Sequence, residues 1–323
     1  MAEVRHLISR LSQKHILAGA PESYARGFAT AASNVYSAKE IESVLQRKFF
    51  IPDDSRFDLD SYQQSAAELS VQNHLVLERR AKNFERDKRV NPPKDVDAYY
   101  EVGATRVSLE VKCPVEVEPP EDPYVVTMGG RVSGYLEKFN RLKGVMESNP
   151  ENSVDLAKNK DNTLKDFLVS AHDKFSVSSG VDDLNILFIA CGDCASIQDW
   201  YFYLYGNSGL FTGDPFHPSP QDYGLVDVVA LSSLRYCHAH AQGFHDWTLR
   251  DVFLLPCVNP HRRSSAVSES FVSGLNIFDH HLKRFNAFTP ESEAGQSLKV
   301  LHYVVEKLAG QERARYFPVE TRK

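Results

Sequence analysis

Two carboxylates and a lysine, Asp97, Glu110 and Lys112, are spaced so that a β-hairpin would bring them onto one face. From Val96 to Lys112 apolar and polar residues nearly alternate, which is the pattern of half-buried strands. Two carboxylates held side by side repel each other and are costly to bury unpaired, so we expect a cation between them. Oxygen ligands suit a hard ion such as Mg²⁺ or Mn²⁺, and a nearby lysine could position a water molecule. The pattern therefore predicts metal-dependent hydrolysis.

The hairpin needs one tight turn, and Gly103-Ala104 suits a two-residue type II′ connection because glycine takes its first position. This turn pairs Asp97 with Glu110, Asp95 with Lys112, and Glu101 with Arg106. Directly opposed residues have Cβ atoms about 4.5–5.5 Å apart. The apolar face, expected to pack on a core, consists of Val96, Ala98, Tyr100, Val102, Val107, Leu109 and Val111.

The sequence Lys94-Asp-Val-Asp97, followed by Glu110-Val-Lys112 in the next strand, resembles the motif of the PD-(D/E)XK, or restriction-endonuclease-like, nuclease superfamily. Val96 stands where the family usually has a proline. The likeness covers roughly residues 60–260 as an order of elements: strand, turn, strand, long helix, buried strand. It implies an α/β fold, with a central mixed β-sheet, flanking helices and helical N- and C-terminal additions to a restriction-endonuclease-like core.

The resemblance also implies roles for these residues. In such nucleases the Asp and Glu of the hairpin bind the metal, often with the backbone carbonyl between the Glu and the Lys. The ligands of Mg²⁺, or of Mn²⁺ in its place, would then be Asp97, Glu110 and the carbonyl of Val111. Lys112 would orient or activate the attacking water.

The family often adds a glutamate from a helix before the hairpin. Residues Ser61 to Phe84 have the apolar spacing of a helix, and Glu68 lies beside small alanines that permit close approach to a sheet. Glu78 is the alternative, about 80° away around the helix. We prefer Glu68 as a further catalytic and metal-binding residue.

Residues 79–94 hold seven basic and two acidic side chains in a chain of net charge −6. Because they join the proposed helix to the Asp97 strand, we predict that Arg86, Lys88 and Arg89 bind nucleic acid, with a plain charged loop as the alternative. The predicted partner is nucleic acid, with DNA preferred, and a second basic region lies around Arg131 to Lys165.

Residues 1–52 predict a helical extension, with a capping box at Ser37-Ala-Lys-Glu40, and residues 53–323 the nuclease domain. The extension could serve recognition or dimerisation, so a homodimer is open. Further predicted elements, in chain order, are an extended exit at Pro114–Pro123, a helix from Asn152 to Phe175, strands at 184–191, 226–231 and 252–255, and helices at 266–285 and 291–311. On the first of these helices Lys158 and Lys165 are candidates to approach the site.

Cys191 and Cys194 have CxxC spacing, and with Cys237 and His240 they could supply four tetrahedral zinc ligands. No second CxxC is present, and Cys191 ends an apolar run where cysteine commonly acts as a small hydrophobic residue. Zinc is therefore disfavoured but left open.

The composition is that of a soluble globular protein, with 42% hydrophobic and 25% charged residues among 323. There is no run of 18 apolar residues and no secretory signal, so no membrane partner is expected. Five cysteines, an odd number, favour a cytoplasmic location. Two alternatives to a nuclease remain: a catalytically inactive nucleic-acid-binding module of the same fold, and an unrelated interaction protein.

Overall fold

A mixed six-stranded β-sheet with helices on both faces forms the centre of the molecule. The computed structural model describes residues 2–115, 140–141, 143–145, 160–175, 183–206, 209–212, 219–241 and 244–263. The predicted α/β class with a central mixed sheet is confirmed.

The secondary-structure elements follow in chain order. The helices of the described residues are α1 (Ala2–Ile8), α2 (Ile16–Gly19), α3 (Glu22–Val35), α4 (Ile41–Phe49), α5 (Leu59–Leu77), α6 (Lys160–Lys174), α7 (Cys194–Tyr205) and α8 (Leu234–His240). The strands are β1 (Lys82–Asn91), β2 (Lys94–Val102), β3 (Thr105–Lys112), β4 (Leu184–Ala190), β5 (Val228–Ser232) and β6 (Leu254–Val258). None of these helices is long and apolar enough to cross a membrane.

Strands lie in the sheet in the order in which they occur in the chain. β1, β2 and β3 form an antiparallel meander, β3, β4 and β5 are parallel neighbours, and β6 returns antiparallel to β5. Helix α6 lies between β3 and β4 in the chain, and α7 between β4 and β5, as parallel pairing requires a crossover.

The β2–β3 hairpin has the predicted turn and register. Glu101 pairs with Arg106 and Ala98 with Leu109, and Gly103 has φ 61°, the left-handed conformation that the first position of a type II′ turn requires. The ladder ends at Ala98, so Asp97 is the first residue beyond the regular pairing.

Both faces of the sheet are buried. One hydrophobic cluster joins a face of the sheet to α3, α4 and α5, and the other joins the opposite face to α6 and α7. The predicted apolar face packs in the first cluster except for Val96, which packs in the second with Tyr99. The prediction for Val96 is wrong because regular alternation holds only as far as the ladder that ends at Ala98.

The predicted helix over Ser61–Phe84 is too long at its end. Helix α5 stops at Leu77, since Glu78 has extended backbone angles (φ −79°, ψ 112°), and the basic segment forms the edge strand β1. Partly buried Ala81 and Phe84 pack against the first cluster, and this packing accounts for the segment becoming a strand instead of a loop.

The described part of the predicted N-terminal extension is helical and contains α1 to α4. Only half of the predicted capping box forms: Glu40 accepts a hydrogen bond from the backbone N–H of Ser37 at 3.0 Å, but the Ser37 hydroxyl also donates to Glu40, and Glu40 is itself the N-cap residue of α4. Helices α1 to α4 contribute residues to the same hydrophobic cluster as α5 and the sheet.

The three later strands occur where the apolar runs predict them, with ends shifted by a few residues. The predicted start of α6 at Asn152, nearly all of Pro114–Pro123 and the helices predicted at 266–285 and 291–311 lie outside the described residues.

Candidate active site

Asp97 is held against the backbone of the neighbouring strand. Its Oδ2 accepts a hydrogen bond from the N–H of Val111 at 2.6 Å, just beyond the last regular pair of the hairpin. This bond fixes the carboxyl group of Asp97 next to the residue that follows Glu110.

Glu110 is almost completely buried, with a relative accessibility of 1%. Its Oε1 lies 2.8 Å from Nζ of Lys112 and 2.7 Å from Nζ of Lys174, the last residue of α6. Its Oε2 is buried, and no group among the described residues donates a hydrogen bond to it. Buried polar atoms are nearly always paired, so an unpaired carboxylate oxygen marks this residue as unusual.

A polar stripe on α5 faces strands β2 and β3. Gln64, Glu68 and Gln72 are four residues apart and so share one face of the helix. Gln64 donates to the carbonyl of Val111 at 3.0 Å and accepts from the N–H of Cys113 at 2.7 Å.

Gln72 extends the same attachment to β2. Its Nε2 donates to the backbone carbonyl of Asp97 at 2.9 Å. The two glutamines thus hydrogen-bond α5 to the backbone of β2 and β3. Glu68 lies between them on the helix, and this attachment fixes its position relative to Asp97.

Both carboxylate oxygens of Glu68 have partners. Oε1 accepts from Nε2 of Gln64 at 2.9 Å, and Oε2 lies 2.7 Å from Nζ of Lys48 on α4. Glu78, the alternative, lies beyond the end of α5 and pairs with Arg80 at 3.0 Å. The structure therefore brings Glu68, and not Glu78, to the carboxylate pair.

Crowding of negative charge perturbs this site. Burial raises the pKa of Asp97 well above its usual range, and the carboxylates of Glu110 and Glu68 raise it further, whereas the Val111 N–H and Lys174 act in the opposite direction. Burial alone would lower the pKa of Lys174, but Glu110 and Asp97 raise it overall. The Lys174 ammonium group is thus held in its charged form beside the carboxylates.

The donor set fits a hard divalent cation. Asp97, Glu110 and the Val111 carbonyl would supply oxygen ligands to such an ion, and the unpaired Glu110 Oε2 is an acceptor that no described donor satisfies. Among the described residues no three side chains of His, Cys, Asp or Glu converge at ligand distance on one point. Glu68, held by Gln64 and Lys48, is the carboxylate that would have to move to join such a group.

Four residues of this site escape prediction from the sequence: Lys48, Gln64, Gln72 and Lys174. The four-residue spacing of Gln64 and Gln72 on either side of Glu68 is a sequence signal that could have identified the two glutamines. Lys174 lies about 180° around α6 from the predicted candidate Lys165, which pairs instead with Asp166 at 3.1 Å. The other candidate, Lys158, lies outside the described residues, and no local pattern points to Lys48.

The three basic residues predicted to bind nucleic acid do not share one surface. The guanidinium of Arg86 lies 4.7 Å from the centre of the Tyr36 ring in the first core cluster, and Nζ of Lys88 lies 3.6 Å from that of Tyr99 in the second. Between them Asp87 has φ 48°, which interrupts the strand alternation. Arg89 is exposed.

The four residues considered for zinc are engaged elsewhere or only partly described. Cys191 is buried, and burial raises the pKa of the Cys237 thiol to about 12. The Nδ1 atom of His240 lies 2.9 Å from the carbonyl of Tyr236. The side chain of Cys194 lies outside the described part of the chain.

Compared with models of protein families, with curated proteins and with solved structures, the chain matches none of them. The resemblance to the PD-(D/E)XK superfamily therefore rests on the motif residues and on the geometry around them.

Proposed function

We propose that this protein is a metal-dependent nuclease that hydrolyses phosphodiester bonds in DNA through a PD-(D/E)XK site. The observation that carries the proposal is the pair Asp97 and Glu110. One carboxylate is bonded to the backbone of the strand that bears the other, and Glu110 is buried with Oε2 unpaired.

The order of elements supports the same reading. Helix α5, the β2–β3 hairpin, helix α6 and the buried strand β4 follow one another as the resemblance implies, and α5 presents Glu68 to the pair. The motif alone is short, so this agreement in surrounding elements is what separates the proposal from a chance match.

Asp97, Glu110 and the carbonyl of Val111 would hold a divalent cation, with Mg²⁺ expected and Mn²⁺ able to replace it. When bound, such an ion polarises a phosphate and lowers the pKa of a water molecule. Lys112, fixed by its ion pair with Glu110, would orient the attacking water. Lys174 reaches the same oxygen from α6 and would offset the negative charge that accumulates on the phosphate.

The test uses the purified chain with supercoiled plasmid, single-stranded DNA and RNA, each in Mg²⁺, Mn²⁺ or chelator. We expect cleavage of DNA that depends on the metal and is absent from Asp97→Ala prepared in parallel. Glu101→Gln is the matched control, because it removes a carboxylate from the same strand near the turn and should leave cleavage unchanged. Equal cleavage by Asp97→Ala and the parent chain would overturn the proposal.

Binding measured without cleavage separates the two alternatives. DNA bound in Ca²⁺ by a chain that never cleaves in Mg²⁺ or Mn²⁺ would favour an inactive module of the same fold. A chain that neither binds nor cleaves nucleic acid would favour an interaction protein whose hairpin only mimics the motif.

A further inference from the structure

Lys48 comes from the N-terminal helices and yet contacts the candidate site. It lies in the last turn of α4, and its Nζ is 2.7 Å from Oε2 of Glu68. The other oxygen of Glu68 is taken by the neutral amide of Gln64 at 2.9 Å. In this arrangement both oxygens of Glu68 already have a partner, one of them a cation.

We propose that Lys48 is a latch on Glu68: it holds this carboxylate away from the metal position and releases it when a cation and an anionic substrate bind together. The proposal rests on the proposed nuclease function and adds a regulatory coupling to it. Lys48 acts through Glu68 and is therefore a positioning residue.

The balance of charge in the site supports a latch. Three ammonium groups already lie against two carboxylates of the site: Lys48 against Glu68, and Lys112 and Lys174 against Glu110. A bound dication makes part of that positive charge surplus. Like charges at close range repel, so an ammonium group must then move away or find a new anion.

Of the three ammonium groups, Lys48 is the one whose release would free Glu68. Lys112 and Lys174 both contact Oε1 of Glu110, so either can leave while the other still holds that oxygen. Among the described residues Lys48 is the ammonium group that pairs with Glu68, so its release changes what Glu68 can bind. Its side chain is 27% exposed, compared with 12% for Glu68, and can therefore turn towards a phosphate group of a bound nucleic acid.

The latch predicts a specific change in metal affinity. Lys48→Met leaves Glu68 with only the amide of Gln64, so Glu68 is available to the cation before DNA arrives. We expect Ca²⁺ affinity without DNA to rise about tenfold, within the usual range of coupling between sites. In the parent chain a short DNA duplex should raise Ca²⁺ affinity, and in Lys48→Met this enhancement should shrink. Calorimetric titration with Ca²⁺, alone and with the duplex, measures both quantities without cleavage.

Three variants separate a latch from simple removal of charge. Arg47→Met removes the same charge from an exposed neighbour on α4 and should leave Ca²⁺ affinity unchanged. Lys48→Arg keeps a cation opposite Glu68 and should behave like the parent chain. In a Glu68→Gln background, Lys48→Met should have no further effect, as a double-mutant cycle requires if Lys48 acts through Glu68.

Ca²⁺ affinities of these variants distinguish failure of the latch from failure of the nuclease proposal. An equal rise in Ca²⁺ affinity in the Glu68→Gln background would mean that Lys48 only repels the cation at a distance, and the latch would be overturned. No rise in Lys48→Met, in a chain that binds Ca²⁺ and loses it on Asp97→Ala, would overturn the latch and leave the nuclease proposal standing. A parent chain that binds no Ca²⁺ would overturn both.

Discussion

Helix α5 contributes to two buried polar clusters, Glu68 to one and Ser70 to the other, and the two clusters differ in charge and in hydrogen bonding. The first, the carboxylate site, contains Glu68, Asp97 and Glu110 and leaves Glu110 Oε2 without a hydrogen-bond donor among the described residues. The second, the His238 cluster, centres on a fully buried imidazole. Its Nδ1 lies 2.9 Å from the hydroxyl of Tyr24, and its Nε2 lies 3.1 Å from the hydroxyl of Ser70 on α5.

The difference lies in charge and in completeness. Burial lowers the pKa of His238 to about 3, so its ring is neutral at physiological pH, and both ring nitrogens have partners. Such a satisfied, neutral cluster stabilises a core. The carboxylate site instead concentrates like charge, which costs stability and is typical of groups retained for function.

Removing a carboxylate from the carboxylate site should have the largest effect on activity. Asp97→Ala is expected to reduce metal-dependent cleavage by about 10³-fold or more, because a ligand and the charge it holds are lost together. It should also leave the melting temperature unchanged or raised, since repulsion with Glu110 and Glu68 disappears. Initial cleavage rates and thermal melts of the same preparations measure the two effects.

A functional role for Asp97 would be contradicted if Asp97→Ala lost activity because the protein unfolds. A melting temperature reduced by more than a few degrees in Asp97→Ala would place Asp97 among the structural residues, with His238. Circular dichroism at the assay temperature distinguishes that case.

Removing the imidazole should have the opposite profile. His238→Ala leaves the hydroxyls of Tyr24 and Ser70 unpaired and opens a cavity beside Trp247, whose ring centre is 4.6 Å from that of His238. We expect the free energy of unfolding to fall by about 3 kcal/mol, from the unpaired groups and the lost packing. Urea titration measures this loss.

Cleavage per folded molecule should be unchanged in His238→Ala. A rate reduced as strongly as in Asp97→Ala, in a protein still folded at the assay temperature, would show that the two clusters are not functionally distinct.

The two clusters should also respond to pH with opposite sign. The folded pKa of Asp97 lies above its unfolded value, so the folded chain holds this proton more tightly and loses stability as pH rises from the usual aspartate range through the raised pKa. His238 has a folded pKa of about 3, so the stability it contributes is complete above about 6.5, the ordinary histidine value, and is lost as pH falls towards 3.

Two variants isolate these slopes. Asp97→Asn keeps an acceptor for the Val111 N–H and should gain on the order of 1 kcal/mol over the parent chain at pH 8, with the gain vanishing near pH 4. His238→Gln should show a shallower loss of stability between pH 6 and pH 4. Urea midpoints measured across pH 4–8 test both, and parallel curves for Asp97→Asn and the parent chain would contradict the assignment of the Asp97 shift.

The structural features that can be predicted from the sequence are those set by residues close together in the chain. The register of β2 and β3 follows from Gly103 and from alternation, because a two-residue turn fixes every pair that follows it. Buried strand β4 follows from its apolar run, and the approach of Glu68 from small neighbours on one helix face.

The parts that do not follow depend on contacts distant in the chain. Lys48 meets Glu68, and Lys174 meets Glu110, through packing of separate helices on the sheet, which no spacing in the sequence encodes. The predicted helix continues past the observed end of α5 because charged residues after Leu77 are compatible with a helix. In the structure α5 ends at Leu77, and the partly buried Phe84 packs on the core from the edge strand β1.

The smallest expected effect is on the salt dependence of DNA binding, which should respond to a basic residue near the carboxylate site and not to one near the His238 cluster. Arg89 is exposed on β1, the edge strand next to β2, which carries Asp97, whereas Arg250 is exposed just after Trp247 and Thr248 beside the His238 cluster. If β1 contacts phosphates, Arg89→Ala should reduce the slope of log affinity against log salt by about 0.9 on duplex DNA. Arg250→Ala, which removes the same charge, should leave the slope unchanged.

Arg86 and Lys88 should contribute less to that slope than Arg89. Arg86 pairs with Glu40 at 3.2 Å and Lys88 with Glu85 at 2.7 Å, so each must give up an ion pair before it neutralises a phosphate. Exposed ion pairs contribute only about 0.2–1 kcal/mol, so both exchanges remain feasible at modest cost. Binding in Ca²⁺ across a series of salt concentrations gives the slope for each variant. An unchanged slope for Arg89→Ala would move the nucleic-acid surface away from β1, and a reduced slope for Arg250→Ala would move it towards the His238 cluster.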